Sequence, residues 1–269
     1  MSHTLSGKET DRGAAVERQT AEWLAVQGSV PGVELHRDED AIWMVQPGSA
    51  WSNAAAALRF TPESADARLR EIVQRYRKNG RGAGFWVTAQ ATPGDIEARL
   101  GRLGFRCRRR FPGMYCDLAE PVTGSGAPAG LELVSMEDHT MFSPARPHPC
   151  IGPVTTAIRR FNLARIAAMV KQQPRRVWEF MAKMEGQIVG GCTLFLGSEV
   201  AGLYNVCVVE RARHRGIGGA LVRHACRFAR GEGYAGAVLI ASGMGEGVYR
   251  RAGFREVCRM AFWYSALRR

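Results

Sequence analysis

Lysine is scarce in this 269-residue sequence. Only Lys8, Lys78, Lys171 and Lys183 occur, so 33 of the 37 basic residues are arginine. The seven cysteines include no Cys-x-x-C pair, which excludes the commonest zinc and dithiol spacings and leaves no even-numbered disulfide frame. No apolar run approaches the roughly 20 residues that span a bilayer. The start of the sequence, Met1-Ser2-His3-Thr4, leads into polar residues with no apolar signal core, so a cytoplasmic location is expected. Acidic residues are also in deficit, 25 against 37 basic, for a net charge of +12.

What is present fits a globular protein. The hydrophobic content of 46% is ordinary, and the length suits two domains of about 100–150 residues. Residues 1–130 carry 17 basic and 15 acidic side chains, and residues 131–269 carry 20 and 10. The net +10 of the second half suggests an anionic ligand or partner there. The stretch 119–130, AEPVTGSGAPAG, is small and rich in proline and glycine, and reads as a linker. The expected organisation is a polar tail and helix over 1–30, a domain over 31–120, a linker over 121–130 and a domain over 131–269.

Periodicity supplies the elements. Helices are expected at Ala14–Gln27, Pro62–Arg77 and Pro93–Leu103, with a turn around Gly80, Gly82 and Gly84 and strands at Ala41–Val45 and Phe85–Ala89. In the second half, Leu131–Val134 is a strand, Thr155–Lys171 a helix, and Val177–Lys183 with Ile188–Phe195 a hairpin. A strand over Ala201–Val209, a helix over Gly218–Arg230, a strand over Ala237–Ala241, a short helix over Gly245–Ala252 and a strand over Val257–Tyr264 follow. The fold class is α/β with mixed sheets.

The most informative stretch joins strand Val206-Cys207-Val208 to Arg213-His214-Arg215-Gly216-Ile217-Gly218-Gly219-Ala220 and then a helix. Glycines allow close backbone approach, and the free N–H groups of a helix start point at an anion. Arg213 and Arg215 add charge, so a pyrophosphate suits the site. The loop has neither the lysine of a Walker A loop nor the spacing of a dinucleotide fingerprint. Downstream stands Tyr249-Arg-Arg-Ala-Gly253-Phe254.

Arg-x-x-Gly-x-Gly followed by this second motif resembles the GNAT superfamily of N-acetyltransferases, and the element order of 131–269 matches that family's layout. The resemblance implies acetyl-CoA as acyl donor, bound at Arg213–Ala220 through its pyrophosphate and along Val206–Val208 through its pantetheine arm. It implies Tyr249 as general acid for the departing thiolate. Ser242 stands where relatives carry a cofactor-contacting asparagine. An acceptor amine with pKa near 10.4 costs about 4.6 kcal/mol to deprotonate at pH 7. Glu179, Glu199, Glu210 and Glu246 are candidate bases.

Arg102-Leu-Gly104-Phe105 echoes Arg251-Ala-Gly253-Phe254, so residues 31–120 resemble a degenerate GNAT-like copy. Two such domains are expected, each a mixed, mostly antiparallel sheet flanked by helices. In the copy, Leu100 replaces Tyr249, and 60–65 (FTPESA) replaces the glycine loop. Donor binding is therefore not expected there; walling the substrate cleft is.

The expected partner is a small-molecule amine, with the chain a monomer or homodimer and no membrane contact. The cluster Arg106–Arg110 and the basic second half keep nucleic acid open, including an aminoacyl-tRNA donor on the same fold. His139 and His148, in or near the proline-rich stretch 144–153, lack the spacing of a metal site, and none is assigned.

Overall fold

The computed structural model describes residues 7–28, 30–46, 53–78, 82–120, 122, 126–135, 164 and 166–266. The chain divides into two compact units, Met1–Gly113 with Val257–Arg269, and Met114–Glu256. Strands are β1 Glu34–Arg37, β2 Ile42–Val45, β3 Ala54–Ala56, β4 Ala83–Val87, β5 Arg106–Asp117 and β6 Leu131–Ser135. They continue with β7 Val177–Met184, β8 Gln187–Leu196, β9 Ala201–Val208, β10 Gly236–Ile240 and β11 Arg255–Ser265.

In the second unit the order is β6-β7-β8-β9-β10, followed by the end of β5. β6 to β9 are antiparallel neighbours, and β10 is parallel to β9. The β7–β8 turn puts Glu185 at φ 51° and Gly186 at φ 71°, a left-handed pair whose twist matches the strands it joins. The helix Ile217–Gly231 crosses from β9 to β10. Its Ile217, Leu221, Val222, Ala225, Cys226 and Ala229 recur at helical spacing and are buried against Phe180, Leu194, Leu203 and Phe254. Each fully buried Leu or Ile contributes about 1.5–3 kcal/mol. The helix stops where Gly233 turns to φ 90° and Tyr234 N–H closes on the Ala229 carbonyl at 3.0 Å.

In the first unit the order is β1-β2-β3-β4-β11, followed by the start of β5. β1, β2 and β3 are antiparallel neighbours, and β4 is parallel to β3. The helix Ala65–Lys78 makes the crossover. Its Leu69, Ile72, Val73 and Tyr76 are buried, and Trp43, Tyr76, Phe85 and Phe105 form a run of edge-to-face rings 5.1–6.2 Å apart. The helix Gly7–Gln27 packs through Leu24 with Met44, Ala54 and Ala56. Its buried Glu17 is neutralised by Arg59 and accepts a hydrogen bond from Thr88 Oγ1 at 2.6 Å.

Several expectations are corrected. The polar start is helical from Gly7, and β1 was missed because Glu34, His36 and Arg37 do not alternate with apolar residues. Gly84 lies in β4 rather than in a turn, where it opposes Tyr264 and leaves room for the Phe262 ring. β11 does not stay with 131–256: it pairs antiparallel with β4 from Ala261↔Val87 to Ser265↔Ala83. β5 likewise starts in the first unit and ends in the second, where Leu118 N–H donates to the Ala235 carbonyl at 2.9 Å. A division at the 121–130 linker is replaced by two crossings, at 113/114 and 256/257. Most of Thr155–Lys171, together with His139 and His148, lies outside the described residues, and 166–172 is helical.

Candidate active site

The glycine loop begins one residue after a single-turn 3₁₀ helix, Glu210–Ala212. Arg213 Nε donates to the Val208 carbonyl at 3.2 Å, tying the loop to the end of β9. His214 takes φ 62° and Gly216 takes φ 80°, ψ −1° as the residue before the helix. Among the described residues no side chain caps this helix, and its first intrahelical bond is Ala220 N–H to the Gly216 carbonyl. The N–H groups of Ile217, Gly218 and Gly219 precede that bond and face outward at the positive end of the helix dipole.

The two glycines on this turn have different reasons. Gly216 sits in the left-handed region, which costs a non-glycine residue about 1–2 kcal/mol. Among the described residues a Cβ on Gly218 would meet Val208 Cγ2 at 3.7 Å and Val248 Cγ1 at 3.9 Å and nothing nearer, ordinary contacts. Packing therefore does not demand glycine at 218. By contrast, a Cβ on Gly190 of β8 would lie 2.9 Å from the Cys207 carbonyl, so packing does demand it there.

Beside the loop the sheet opens. β9 and β10 are in register only at Ala201↔Ala237 and Gly202↔Val238. On the other side, β8 advances two residues from Gly191 to Thr193 while β9 runs three, from Cys207 to Tyr204. This bulge leaves Asn205 and Val206 without register partners, with Asn205 at φ 52°. Val206, Cys207 and Val208 are half-buried along the opening.

Tyr249 lies on the short helix Glu246–Arg251 and is 7% exposed. Burial foremost, with Cys192 and Cys207 nearby, holds its phenol protonated well above the usual tyrosine range. The same helix brings Val248 toward Gly218 and Val208, so the predicted loop, strand and tyrosine converge. Ser242 is exposed, and its Oγ accepts from Gly245 N–H at 3.2 Å. It thus braces the turn that starts the tyrosine helix.

Residues 149–254 match the model of the acetyltransferase (GNAT) family. By sequence, residues 149–254 are a GNAT-like domain. The fold likeness extends further. A GCN5-related N-acetyltransferase from Kribbella flavida superposes with TM-score 0.64 at 16% identity, covering 93% of this chain and 95% of that one. A tandem GNAT protein from the clavulanic acid biosynthesis pathway gives 0.64 at 15% identity, over 93% and 96%. A GCN5-related N-acetyltransferase from Sphaerobacter thermophilus gives 0.57 at 16%, over 87% and 83%. No curated protein matches the chain.

The Gly-Phe signature of the GNAT domain is a helix stop. Gly253 takes φ 94°, Gly253 N–H bonds the Arg250 carbonyl at 3.1 Å, and Phe254 N–H bonds the Tyr249 carbonyl at 3.0 Å. Gly104, at φ 85°, repeats the pattern: Gly104 N–H reaches Gly101 at 3.0 Å and Phe105 N–H reaches Leu100 at 3.1 Å. Leu100 therefore occupies the position of Tyr249 in the first unit.

There the rest of the site is closed. Thr61 and Ser64 cap the Ala65–Lys78 helix reciprocally, Thr61 N–H to Ser64 Oγ at 3.1 Å and Ser64 N–H to Thr61 Oγ1 at 3.2 Å. Thr92 N–H bonds the Leu58 carbonyl at 3.1 Å and Phe60 N–H bonds the Thr92 carbonyl at 3.2 Å. These bonds bridge the parallel strands where the GNAT domain's strands part.

The carboxylates proposed as bases have different surroundings. Glu210 and Glu199 are exposed, and Glu246 accepts from Arg250 at 2.8 and 2.9 Å. Glu179 is fully buried on β7, and burial pushes its carboxyl up to about 8 against a partial lowering by Thr193. Thr193 Oγ1 donates to Glu179 Oε2 at 2.5 Å, and Asn205 Nδ2 donates to Thr193 Oγ1 at 3.0 Å. Sequence reasoning missed Thr193 and Asn205, since partners on adjacent strands leave no spacing signal.

The Arg106–Arg110 cluster is exposed at the start of β5. Arg110 pairs with Glu97 at 2.6 Å, while Arg108 and Arg109 lie over the Tyr264 and Phe111 rings at 5.5 and 5.3 Å. Among the described residues no group of three or more His, Cys, Asp or Glu could hold a metal. No described helix is long and apolar enough to cross a membrane.

Proposed function

We propose that the GNAT domain transfers an acetyl group from acetyl-CoA to the amine of a small molecule, by direct attack of the amine on the thioester in a ternary complex. The observation that carries this reading is the uncapped helix start at Gly216–Gly219, beside strands that have parted. The residues fit the donor. The side-chain space that Gly218 leaves is not filled by packing, and three outward N–H groups suit a pyrophosphate.

Acetyl-CoA supplies the activated acyl carbon and the thiolate leaving group. The amides of Ile217, Gly218 and Gly219, with Arg213 and Arg215, hold the pyrophosphate. The main chain of Val206–Val208 aligns the pantetheine arm. Neutral amine attacks, the C–N bond forms and the C–S bond breaks. The nitrogen loses one proton to solvent and the thiolate takes one from solvent, so the exchange balances.

The role of Tyr249 is narrower than full proton transfer. Even a free phenol, pKa about 10, is a weaker acid than a thiol near 8.5, an uphill difference of about 2 kcal/mol. Burial widens that gap. Tyr249 therefore donates a hydrogen bond that stabilises the developing thiolate.

The first unit is read as a GNAT-like copy that binds no donor. Its helix caps itself, its strands are bridged, and Leu100 takes the place of the tyrosine.

Calorimetry with acetyl-CoA tests both readings, with one site per chain expected. No measurable binding overturns the function; two equivalent sites overturn the assignment of the first unit. An aminoacyl-tRNA donor instead predicts tRNA binding that falls steeply with salt, without acetyl-CoA binding.

A further inference from the structure

The bulge on β9 does more than part the strands. It turns Asn205 to φ 52°, a conformation asparagine tolerates better than most residues, and leaves the side chain exposed. The side chain is nevertheless fixed at one end. Its Nδ2 donates to Thr193 Oγ1 at 3.0 Å, and Thr193 donates to the buried Glu179 carboxyl at 2.5 Å. The three residues sit on successive strands, β7, β8 and β9, and form one polar line from the interior to the mouth of the opening.

The direction of that line follows from donor and acceptor inventory. A threonine hydroxyl has one proton. Thr193 gives it to Glu179 Oε2, the carbonyl oxygen of a carboxyl whose own proton sits on Oε1, and so can only accept from Asn205. The amide NH₂ of Asn205 must then face inward, and its carbonyl Oδ1 outward. Among the described residues no group donates to that Oδ1. It stands immediately before Val206–Val208, the stretch read as aligning the pantetheine arm.

We propose that Asn205 Oδ1 is a hydrogen-bond acceptor for the N–H of the incoming amine, with Thr193 and Glu179 as positioning residues that hold the amide in that orientation. This rests on the acetyl-CoA reading above. It gives the acceptor a chemical requirement: at least one N–H on the nucleophilic nitrogen that can point at Asn205 while the lone pair faces the acyl carbon. Primary amines meet it.

The test uses the full chain, ¹⁵N-labelled, with coenzyme A present, and follows the Asn205 side-chain amide by NMR. The probes are ethylamine, which carries N–H groups, and tetramethylammonium, which carries none. Ethylamine is expected to shift the Asn205 amide resonances saturably and tetramethylammonium not to. In Thr193→Val the amide protons should exchange at least 10-fold faster. Glu179→Leu should do the same, and Glu179→Gln, which keeps an acceptor for Thr193, should restore most of the protection. Equal responses to the two cations, or no response at Asn205, overturn the proposal. Unchanged exchange in Thr193→Val overturns the positioning role. Calorimetry with acetyl-CoA on the same sample separates these outcomes from failure of the donor reading.

Discussion

Glu179 carries a measurable cost of folding. It is fully buried, and its carboxyl is raised from 4.5 to about 8. A raised carboxylate binds its proton more tightly in the native state than in the unfolded chain. Below pH 4.5 both states are protonated and there is no penalty. As pH rises from 4.5 toward 8 the native state holds the extra proton, so stability falls by about 1.36 kcal/mol per unit; above 8 the loss is constant. At pH 7 the rise spans 2.5 units, a loss of about 3 kcal/mol. Glu179→Gln removes the titration and keeps an oxygen for Thr193. The variant is therefore expected to match the parent near pH 5 to within about 1 kcal/mol and to exceed it by about 3 kcal/mol at pH 7. Urea unfolding of parent and variant at pH 5, 6, 7 and 8 measures the gap, and other titrations common to both chains cancel. A gap that does not change across this range would refute the burial argument.

Gly218→Ala adds a Cβ in ordinary contact with Val208 and Val248, in the first turn of the helix where the pyrophosphate is read to sit, so acetyl-CoA binding should weaken while the melting temperature stays within a few degrees; unchanged binding counts against the loop. Tyr249→Phe removes one hydrogen bond to a developing charge, about 1.5–3 kcal/mol, so kcat should fall about 10- to 100-fold with the acetyl-CoA Kd unchanged by calorimetry. Gly245→Ala places a Cβ 2.6 Å from the Tyr249 ring, so it should displace the tyrosine and lower kcat while the donor still binds. Thr61→Ala removes the hydroxyl that accepts from Ser64 N–H at the start of the first unit's helix and should cost about 1 kcal/mol in urea unfolding, with no effect on donor affinity.

Much of the candidate site's geometry was legible in the sequence because its parts are local. Arg213-x-x-Gly216-x-Gly218 lies within six residues, and Gly216 states a left-handed backbone requirement on its own turn. The Gly-Phe pairs at 104–105 and 253–254 were legible for the same reason. Each ends a short helix through bonds that span only six residues, so the repeat could be read without knowing what the helices pack against.

Tertiary structure decided the rest. The destination of β11 is a matter of pairing with a strand about 175 residues earlier, and the sequence 255–265 carries no mark of its partner. The sequence named Glu179 as one of four acids and could not rank them. Burial distinguishes Glu179, and the line through Thr193 to Asn205 exists only because three strands lie side by side. Spacing along the chain records the backbone's local needs. Which side chains meet across strands, and what dielectric surrounds them, is fixed when the sheet closes.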